Sequence, residues 1–150
     1  MKRSGFGQKG FTLIELVIVI LLLGVMAAVV VPKFFNLDDY RTRAAYDEVA
    51  GAVRYAQKLA VASGCEVQVQ VSGNSYALQQ HSTNCSAGAF VTISDHPVTS
   101  NNFSGITLAS TAGDFIFDGM GRSSSSTTVN LNGGSKSFLV IAETGYVDAP

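Results

Sequence analysis

The chain has 150 residues, and its composition and charge already exclude some classes of function. Three basic residues lie among the first ten, whereas from Phe11 onward seven basic side chains oppose eleven acidic ones. Because nucleic acid is bound mainly through Lys and Arg contacts to its phosphates, this acidic body predicts no nucleic-acid partner. The length allows one modest core outside the apolar N-terminal run.

An almost unbroken apolar run extends from Phe11 to Val31. As a helix rising about 1.5 Å per residue, its 21 residues would cover the roughly 30 Å hydrocarbon core of a bilayer. Since the basic residues precede the run, residues 1–10 are expected in the cytoplasm and the body in a periplasm or exterior. The run lacks a polar-bounded small-residue cleavage site, which disfavours a secretory signal peptide. Two interpretations of the run remain. It is either a permanent membrane anchor or a segment that is first held in the membrane and later used elsewhere.

Glu15 places a carboxylate inside this apolar run. A charge costs up to about 3 kcal/mol at the centre of a membrane helix and less near its end. The side chain can reach the membrane interface or complement the positive end of the helix dipole, which would be a purely structural role. The alternative is a functional contact that compensates for the cost.

The sequence "KGFTLIE", Lys9 to Glu15, resembles the class III signal of type IV prepilins and of type II secretion pseudopilins. The resemblance implies that a prepilin peptidase cleaves between Gly10 and Phe11 and methylates the new N-terminal Phe11. It also implies that Glu15 pairs with the α-amino group of a neighbouring subunit during assembly. The expected partners are the prepilin peptidase, other major and minor pilins or pseudopilins, an inner-membrane assembly platform, and membrane lipid before assembly.

Gly24 and Pro32 predict a weak stretch in the long N-terminal helix, because glycine destabilises helices and proline lacks an N–H. The resemblance implies that this stretch unwinds in the filament, whereas a proline that simply ends a membrane span explains Pro32 equally well. From Asn36 to about Ala62, apolar residues recur at steps of three and four, which predicts an amphipathic helix. Its apolar positions are Leu37, Tyr40, Ala44, Val49, Ala52, Val53, Ala56, Leu59 and Ala60.

The remainder of the chain predicts an antiparallel β domain. "CEVQVQV" alternates with period two and is followed by the turn "SGNS" and by "YALQQH", which predicts a β-hairpin. The predicted class is α+β, with a long N-terminal helix, hydrophobic and then amphipathic, packed on a mainly antiparallel β domain. The expected divisions are a removed leader at 1–10, the helix at 11–62 and the β-rich domain at 63–150. Further short strands are expected at 90–93, 106–109, 115–117, 128–131, 138–142 and 146–147.

The order of motifs in the body is similar to that of the pilin subgroup that contains pseudopilin H and the minor pilin FimT. Phe117 and Gly121 correspond to the Phe-x-x-x-Gly turn of this subgroup, and Gly145 corresponds to the glycine of its last strand. The whole chain also resembles minor pilins of the mannose-sensitive haemagglutinin pilus. These resemblances imply a structural subunit of a type IV pilus, with a minor pilin preferred and a type II secretion pseudopilin as the alternative.

Cys65 and Cys85 lie near the predicted hairpin, whereas many type IV pilins enclose a C-terminal loop with a disulfide. Because the body faces an oxidising compartment, a disulfide between the two is expected. Closing a loop of about 21 residues would contribute around 3 kcal/mol in the loop-entropy account. Two buried free thiols and a two-cysteine metal site are the alternatives.

No catalytic motif is recognisable, and neither an enzyme activity nor a cofactor is expected. His81 and His96 stand alone, without a nucleophile and an acid in a known order. A metal cluster of His81 with the two cysteines has no common zinc spacing, and Asp114 and Asp118 form no readable calcium loop. The rival from another class is an uncleaved, membrane-anchored periplasmic binding module or enzyme.

Overall fold

The computed structural model describes residues 10–30, 37–94, 96 and 98–150 of the chain. The chain consists of two compact units. The first ends at Leu37, and the second covers Asp38–Pro150. The fold class is α+β, as predicted, with two helices and antiparallel sheets. Pro32 and the leader residues before Gly10 lie outside the described residues, as does the predicted helical connection across 31–36.

Helix α1, Leu13–Val30, belongs to the first unit. From Leu13 to Ala28, its large apolar side chains are exposed on every face, apart from a half-buried Val17, with exposed fractions from 47 % at Val19 to 82 % at Leu13. The predicted helix begins at Phe11, but Thr12 caps the observed one, which therefore starts two residues later. Within the described ranges, no helix is both long enough and apolar enough to cross a membrane.

Helix α2, Leu37–Ser63, confirms the predicted amphipathic helix to within one residue at each end. Gly64 follows it with φ of +67°, the left-handed conformation in which glycine commonly ends a helix. Residues on one face of α2 are completely buried, among them Val49, Val53 and Ala56. The predicted apolar face is therefore confirmed for the second half of α2.

The first three positions of the predicted apolar face are exposed, and the prediction is wrong there. Leu37, Tyr40 and Ala44 all face solvent. Tyr46 is buried instead, and its ring packs edge-to-face on Phe138 with the ring centroids 5.8 Å apart. The buried face of α2 therefore begins with Thr42, Ala45 and Tyr46 rather than with the three predicted positions.

Two antiparallel sheets complete the second unit. Within the described residues, nine strands follow α2: β1 Val67–Ser72, β2 Ser75–His81, β3 Phe90–Thr92, β4 Ser100–Asn102, β5 Leu108–Ser110, β6 Phe115–Phe117, β7 Thr127–Leu131, β8 Lys136–Val140 and β9 Val147–Asp148. The first sheet has the order β3-β2-β1-β6, with β4 also paired to β2. The second sheet has the order β5-β7-β8-β9.

The predicted hairpin is confirmed in β1 and β2, where Val69 pairs with Leu78. Gly73 opens its two-residue turn with φ of +60°, as a type II′ turn requires of its first residue. The other predicted strands are present within two residues of their expected bounds. Strand β4 is not predicted, because its sequence Ser-Asn-Asn has no apolar alternation and it is held by backbone pairing to Ser75–Ala77.

The core lies between α2 and one face of each sheet. Small residues such as Ala52 and Ala60 let the strands approach the helix closely, and both are completely buried. The largest fully buried side chains are Phe115, Phe117 and Phe138, from β6 and β8. Each buried phenylalanine contributes roughly 1.5–3 kcal/mol relative to an exposed one. These rings fix the two sheets and the helix as one body.

Tyr76 is buried at the edge of this core, beside an acid. Its hydroxyl lies 3.1 Å from Glu48 Oε1 and 3.3 Å from the Val98 carbonyl oxygen. The Asn101 amide also donates to Glu48 Oε1, at 2.6 Å. Burial first, and then the charge of Glu48 and the hydrogen bond to it, raise the pKa of Tyr76 above its ordinary value. The folded protein therefore holds the phenolic proton more tightly than the unfolded chain does.

Stability should fall as the pH rises above about 10, because unfolded Tyr76 then loses a proton that folded Tyr76 retains. The contribution of the neutral phenol is fully present below that pH and declines above it by about 1.4 kcal/mol per pH unit. We expect Tyr76→Phe to flatten this decline, measured by urea unfolding of the full chain from about pH 9 to about pH 11. The exposed Tyr146→Phe is the control. Equal slopes for wild type and Tyr76→Phe would contradict the assignment.

Candidate functional site

The segment from Gly10 to Leu16 starts α1 and contains the residues predicted for processing and assembly. Thr12 Oγ1 accepts a hydrogen bond from the Glu15 backbone N–H at 3.3 Å, and the Thr12 carbonyl accepts one from Leu16 at 3.2 Å. Thr12 is therefore the N-cap and Glu15 occupies the third helical position, the spacing of a capping box. The capping role of Thr12 is not among the predictions, although threonine followed three residues later by glutamate is the usual sign of this motif.

The predicted processing residues are accessible. Gly10, Phe11 and Glu15 are all exposed, and Phe11 keeps 84 % of its surface. Apart from Gly10 and its two chain neighbours, no described residue has an atom within 4 Å of the position that a Cβ at Gly10 would occupy. The Glu15 carboxylate forms no hydrogen bond or ion pair with any other described residue. Within the described residues, Gly10 and Phe11 are therefore uncovered, and cleavage between them and pairing of Glu15 with another chain stay predictions.

Gly24 lies inside α1 and does not interrupt it. A Cβ at this position would also meet no described atom within 4 Å. Close packing within the described chain therefore does not require a glycine at position 24. Local unwinding of the helix at Gly24 stays a prediction.

Cys65 and Cys85 form the predicted disulfide, which joins the end of α2 to the loop after β2. The Glu66 backbone N–H donates to the Cys85 carbonyl oxygen at 3.1 Å beside this link. His81 Nδ1 lies 2.9 Å from the Gly88 carbonyl oxygen, and its Nε2 lies 3.1 Å from the Glu66 carboxylate. The cysteines are therefore neither free thiols nor metal ligands. In the described part of the chain, no group of His, Cys, Asp and Glu side chains is arranged to hold a metal.

Two other candidate residues make structural contacts. His96 stacks on the Tyr55 ring, with centroids 5.0 Å apart. The Asp114 carboxylate accepts a hydrogen bond from the Val71 backbone N–H at 3.2 Å, just past the pairing of β1 with β6. Both contacts connect neighbouring elements of the body, which accounts for these residues without any catalytic role.

Asp118 organises the turn that follows β6. Its carboxylate accepts hydrogen bonds from the backbone N–H groups of Met120 and Arg122, at 3.0 and 2.9 Å, and from Arg122 Nε at 2.8 Å. The backbone bond from Arg122, supported by the bonds from its side chain and from Met120, lowers the pKa of Asp118. The Phe-x-x-x-Gly motif from Phe117 to Gly121 is thus a turn. Asp118, a residue of the motif itself, stabilises this turn through the hydrogen bonds that its carboxylate accepts.

Gly121 and Gly145 meet at the side chain of Gln57 on α2. Gln57 Nε2 donates to the carbonyl oxygens of Gly121 and Thr144, at 3.0 and 3.1 Å. A Cβ at Gly145 would overlap the Gly121 carbonyl oxygen, so no other residue fits there without movement. The two motif glycines therefore bring the turn and the approach to β9 onto the helix. No sequence pattern indicates this role of Gln57, because the two carbonyl groups that it binds are distant in the chain.

This combination of features defines the type IV pilin class: an exposed apolar helix with a capped start, then an amphipathic helix on an antiparallel β domain. Residues 2–31 match the prokaryotic N-terminal methylation motif. Residues 45–145 match the family described as type II transport protein GspH. The chain belongs to this GspH family.

Relatives and solved structures agree with this membership. The type IV narrow pilus major component PilA5 of Thermus thermophilus is 39 % identical over 92 residues, which cover 54 % of this chain and 79 % of PilA5. The minor pilin FimU of Pseudomonas aeruginosa has a similar fold, with a TM-score of 0.55 at 12 % identity over 75 % of this chain and 90 % of FimU. The minor pseudopilin EpsH of the Vibrio cholerae type 2 secretion system gives 0.55 at 12 % identity, over 71 % and 94 %.

The protein is therefore a structural subunit of the type IV pilin and pseudopilin kind. Membership of this family implies processing by a prepilin peptidase and assembly with other pilins. It also implies anchoring in the inner membrane with the body in the periplasm. The family and fold neighbours are structural proteins rather than enzymes.

Proposed function

We propose that the chain is a minor pilin, cut between Gly10 and Phe11, methylated on Phe11 and assembled into a type IV pilus through α1. Before assembly, α1 lies in the inner membrane among lipids, and the assembly platform draws it into the fibre. The exposed apolar surface of α1 supports this proposal, because such a surface is stable only in lipid or against other apolar helices. The minor role is supported by FimU, a minor pilin, and by EpsH, a minor pseudopilin, because both share the fold of this chain.

The observation that carries the proposal is the free carboxylate of Glu15 near the new N-terminus. Cleavage creates an α-amino group at Phe11, which is cationic or partly so near neutral pH. This amine would lie at the positive end of the helix dipole, where a cation is disfavoured unless an acid offsets it. The Glu15 carboxylate of a neighbouring subunit supplies that acid, and the pair fixes the axial register of two helices.

Two substitutions separate this role from helix capping. Glu15→Gln keeps a side chain that suits the third position of a capping box but removes the charge, whereas Glu15→Ala removes both. We expect both variants to be cleaved and inserted normally, and both to enter pili at least about tenfold less than wild type. Mass spectrometry of the mature N-terminus and immunoblots of sheared pili provide the two measurements. If Glu15→Gln entered pili at the wild-type level, Glu15 would be only a cap.

A type II secretion pseudopilin is the second candidate, and the match of residues 45–145 to the GspH family favours it. Both functions use the same processing and the same helix, so the N-terminal segment does not distinguish them. Deleting the chain and measuring both piliation and protein secretion does. Loss of pili with normal secretion would support the minor pilin, and the opposite result would support the pseudopilin. An intact Met1 on the working protein would instead indicate an uncleaved anchored module.

A further inference from the structure

The His81 ring lies between two oxygen atoms that belong to different parts of the body. Its Nδ1 is 2.9 Å from the Gly88 carbonyl oxygen, and its Nε2 is 3.1 Å from the Glu66 carboxylate. The ring also stacks on Phe90 of β3, with the ring centroids 4.1 Å apart. Only 10 % of the His81 side chain is exposed. The ring is therefore held in place with one oxygen atom at each of its nitrogen atoms.

The two polar contacts of the ring together need two protons. A neutral imidazole has a single N–H donor, and its other nitrogen can only accept. A carbonyl oxygen never donates, so the contact with Gly88 requires a proton on Nδ1. The contact with Glu66 requires a second proton, which lies on Nε2 or on the carboxyl group. When this second proton is lost, one of the two hydrogen bonds of His81 must break.

The hydrogen bond to Gly88 is the one expected to break. A hydrogen bond to a carboxylate is charge-assisted and about twice as strong as one to a neutral carbonyl group. The last proton therefore stays on Nε2, where it faces Glu66. The lone pair of Nδ1 then points at the lone pairs of the Gly88 carbonyl oxygen, and the two acceptors repel each other. The Gly88 peptide group must turn away from the ring.

Gly88 belongs to the loop between β2 and β3, residues 82–89, which we call the β2–β3 loop. Every residue of this loop is exposed. The loop is also held at two other points, because the disulfide fixes Cys85 and the Ser82 backbone N–H donates to the Ala89 carbonyl oxygen at 3.0 Å. Loss of the contact with His81 therefore changes the surface around Gly88 without freeing the whole loop.

The other charged groups near the ring lie beyond Glu66. Asp118, Arg122 and Glu143 line a cavity of about 390 Å³ together with Glu66. Asp118 and Arg122 are paired with each other at 2.8 Å, whereas Glu143 forms no ion pair in the described part of the chain. Neither β3 nor the β2–β3 loop contains a charged residue. Glu66 is therefore the group that decides which ring nitrogen keeps the last proton.

We propose that His81 is a proton-dependent clamp between the segment before β1 and the β2–β3 loop. The clamp is closed at low pH, when both hydrogen bonds are present. It opens at Gly88 as the pH rises, because the folded chain then loses the second proton. Histidine suits this role, since its charge ordinarily changes between about pH 5 and pH 8. The proton thus controls the surface that the β2–β3 loop presents, which goes beyond the proposed function and holds for a pilin and a pseudopilin alike.

NMR of the isotopically labelled full chain in detergent micelles observes the clamp directly. Labelling the carbonyl carbon of glycine and the amide nitrogen of alanine selects Gly-Ala pairs, of which the sequence has two, Gly51-Ala52 and Gly88-Ala89. Between about pH 5 and pH 9, the Gly88 signal should shift together with the titration of His81. The Gly51 signal comes from the interior of α2 and should stay in place. Nitrogen labelling of histidine should show that the neutral His81 ring keeps its proton on Nε2.

Glu66→Gln is the decisive variant, because it should keep the clamp closed at high pH. The glutamine amide can donate to Nε2, so the neutral ring keeps its proton on Nδ1 and its hydrogen bond to Gly88. His81 should therefore still titrate in this variant, whereas the pH-dependent shift of the Gly88 signal should be lost. His81→Gln should also abolish that shift. The matched control is His96→Gln, at a histidine that stacks on Tyr55, and it should leave the shift unchanged.

Several results would overturn the proposal. One is a Gly88 signal that stays in place in the wild-type chain while His81 titrates. Another is a neutral wild-type ring that carries its proton on Nδ1, and a third is an equal Gly88 shift in wild type and in Glu66→Gln. A His81 ring that keeps both protons throughout the range would overturn it as well. Because each measurement is made on the unassembled chain, none of these results bears on the proposed function.

Discussion

Full-length precursor should accumulate when Gly10 is replaced by valine. The surroundings of Gly10 are open, so a valine side chain clashes with nothing in the described chain and leaves the body folded. A β-branched side chain beside the scissile bond restricts the backbone and blocks the close approach that a glycine allows. We expect the cleaved form to fall at least about tenfold, measured by mass spectrometry and by the mobility shift of the removed leader.

Gly24→Ala is the matched control for this prediction. Gly24 has equally open surroundings but lies inside α1, where alanine favours the helix by about 1 kcal/mol. We expect the Gly24→Ala variant to be cleaved to the same extent as wild type. Normal maturation of Gly10→Val would remove the assigned cleavage site, and impaired maturation of Gly24→Ala would show that any change in this segment disturbs the enzyme.

The parts of the fold that follow local periodicity could be predicted from the sequence. The alternation of "VQVQV" specifies which face of β1 is buried, and the same face carries Val67 and Val69 into the core. Period-two alternation fixes a face because successive side chains point to opposite sides of a strand. The helix α2 was equally predictable, since its second half repeats apolar residues at steps of three and four.

Tertiary contacts decide the parts that the sequence does not predict. Strand β4 consists of polar residues and exists because β2 offers it backbone partners at Ser75–Ala77. At the start of α2, Tyr40 and Tyr46 are both plausible core residues from spacing alone. Phe138, about ninety residues later, selects Tyr46. That choice leaves Tyr40 exposed, at the edge of a surface groove that Phe103 and Ile106 also line.

The same distinction decides which residues of the site could be predicted. Those that belong to a local motif could be, and those with distant partners could not. The "KGFTLIE" motif places Gly10, Phe11 and Glu15 in one segment, and the structure finds them exposed together. Thr12 was also readable from local spacing, as half of a capping box. Gln57 was not, because the carbonyl groups that it binds lie 64 and 87 residues away in the chain.

Gly145→Ala should destabilise the body strongly. The residue has φ of +62°, which costs an alanine roughly 1–2 kcal/mol. Its Cβ would also overlap the Gly121 carbonyl oxygen, so the turn must move away and give up the hydrogen bond from Gln57. An unsatisfied buried group costs about 1–3 kcal/mol more. We expect a total loss of roughly 2–5 kcal/mol in urea unfolding of the full chain.

Gly113→Ala separates backbone strain from close packing in this prediction. Gly113 has a similar φ of +71°, but outside its chain neighbours no described residue has an atom within 4 Å of the position that its Cβ would occupy. It should therefore lose only the roughly 1–2 kcal/mol of the left-handed conformation. Similar losses for the two variants would show that the contact between Gly145 and Gly121 does not hold the turn on α2.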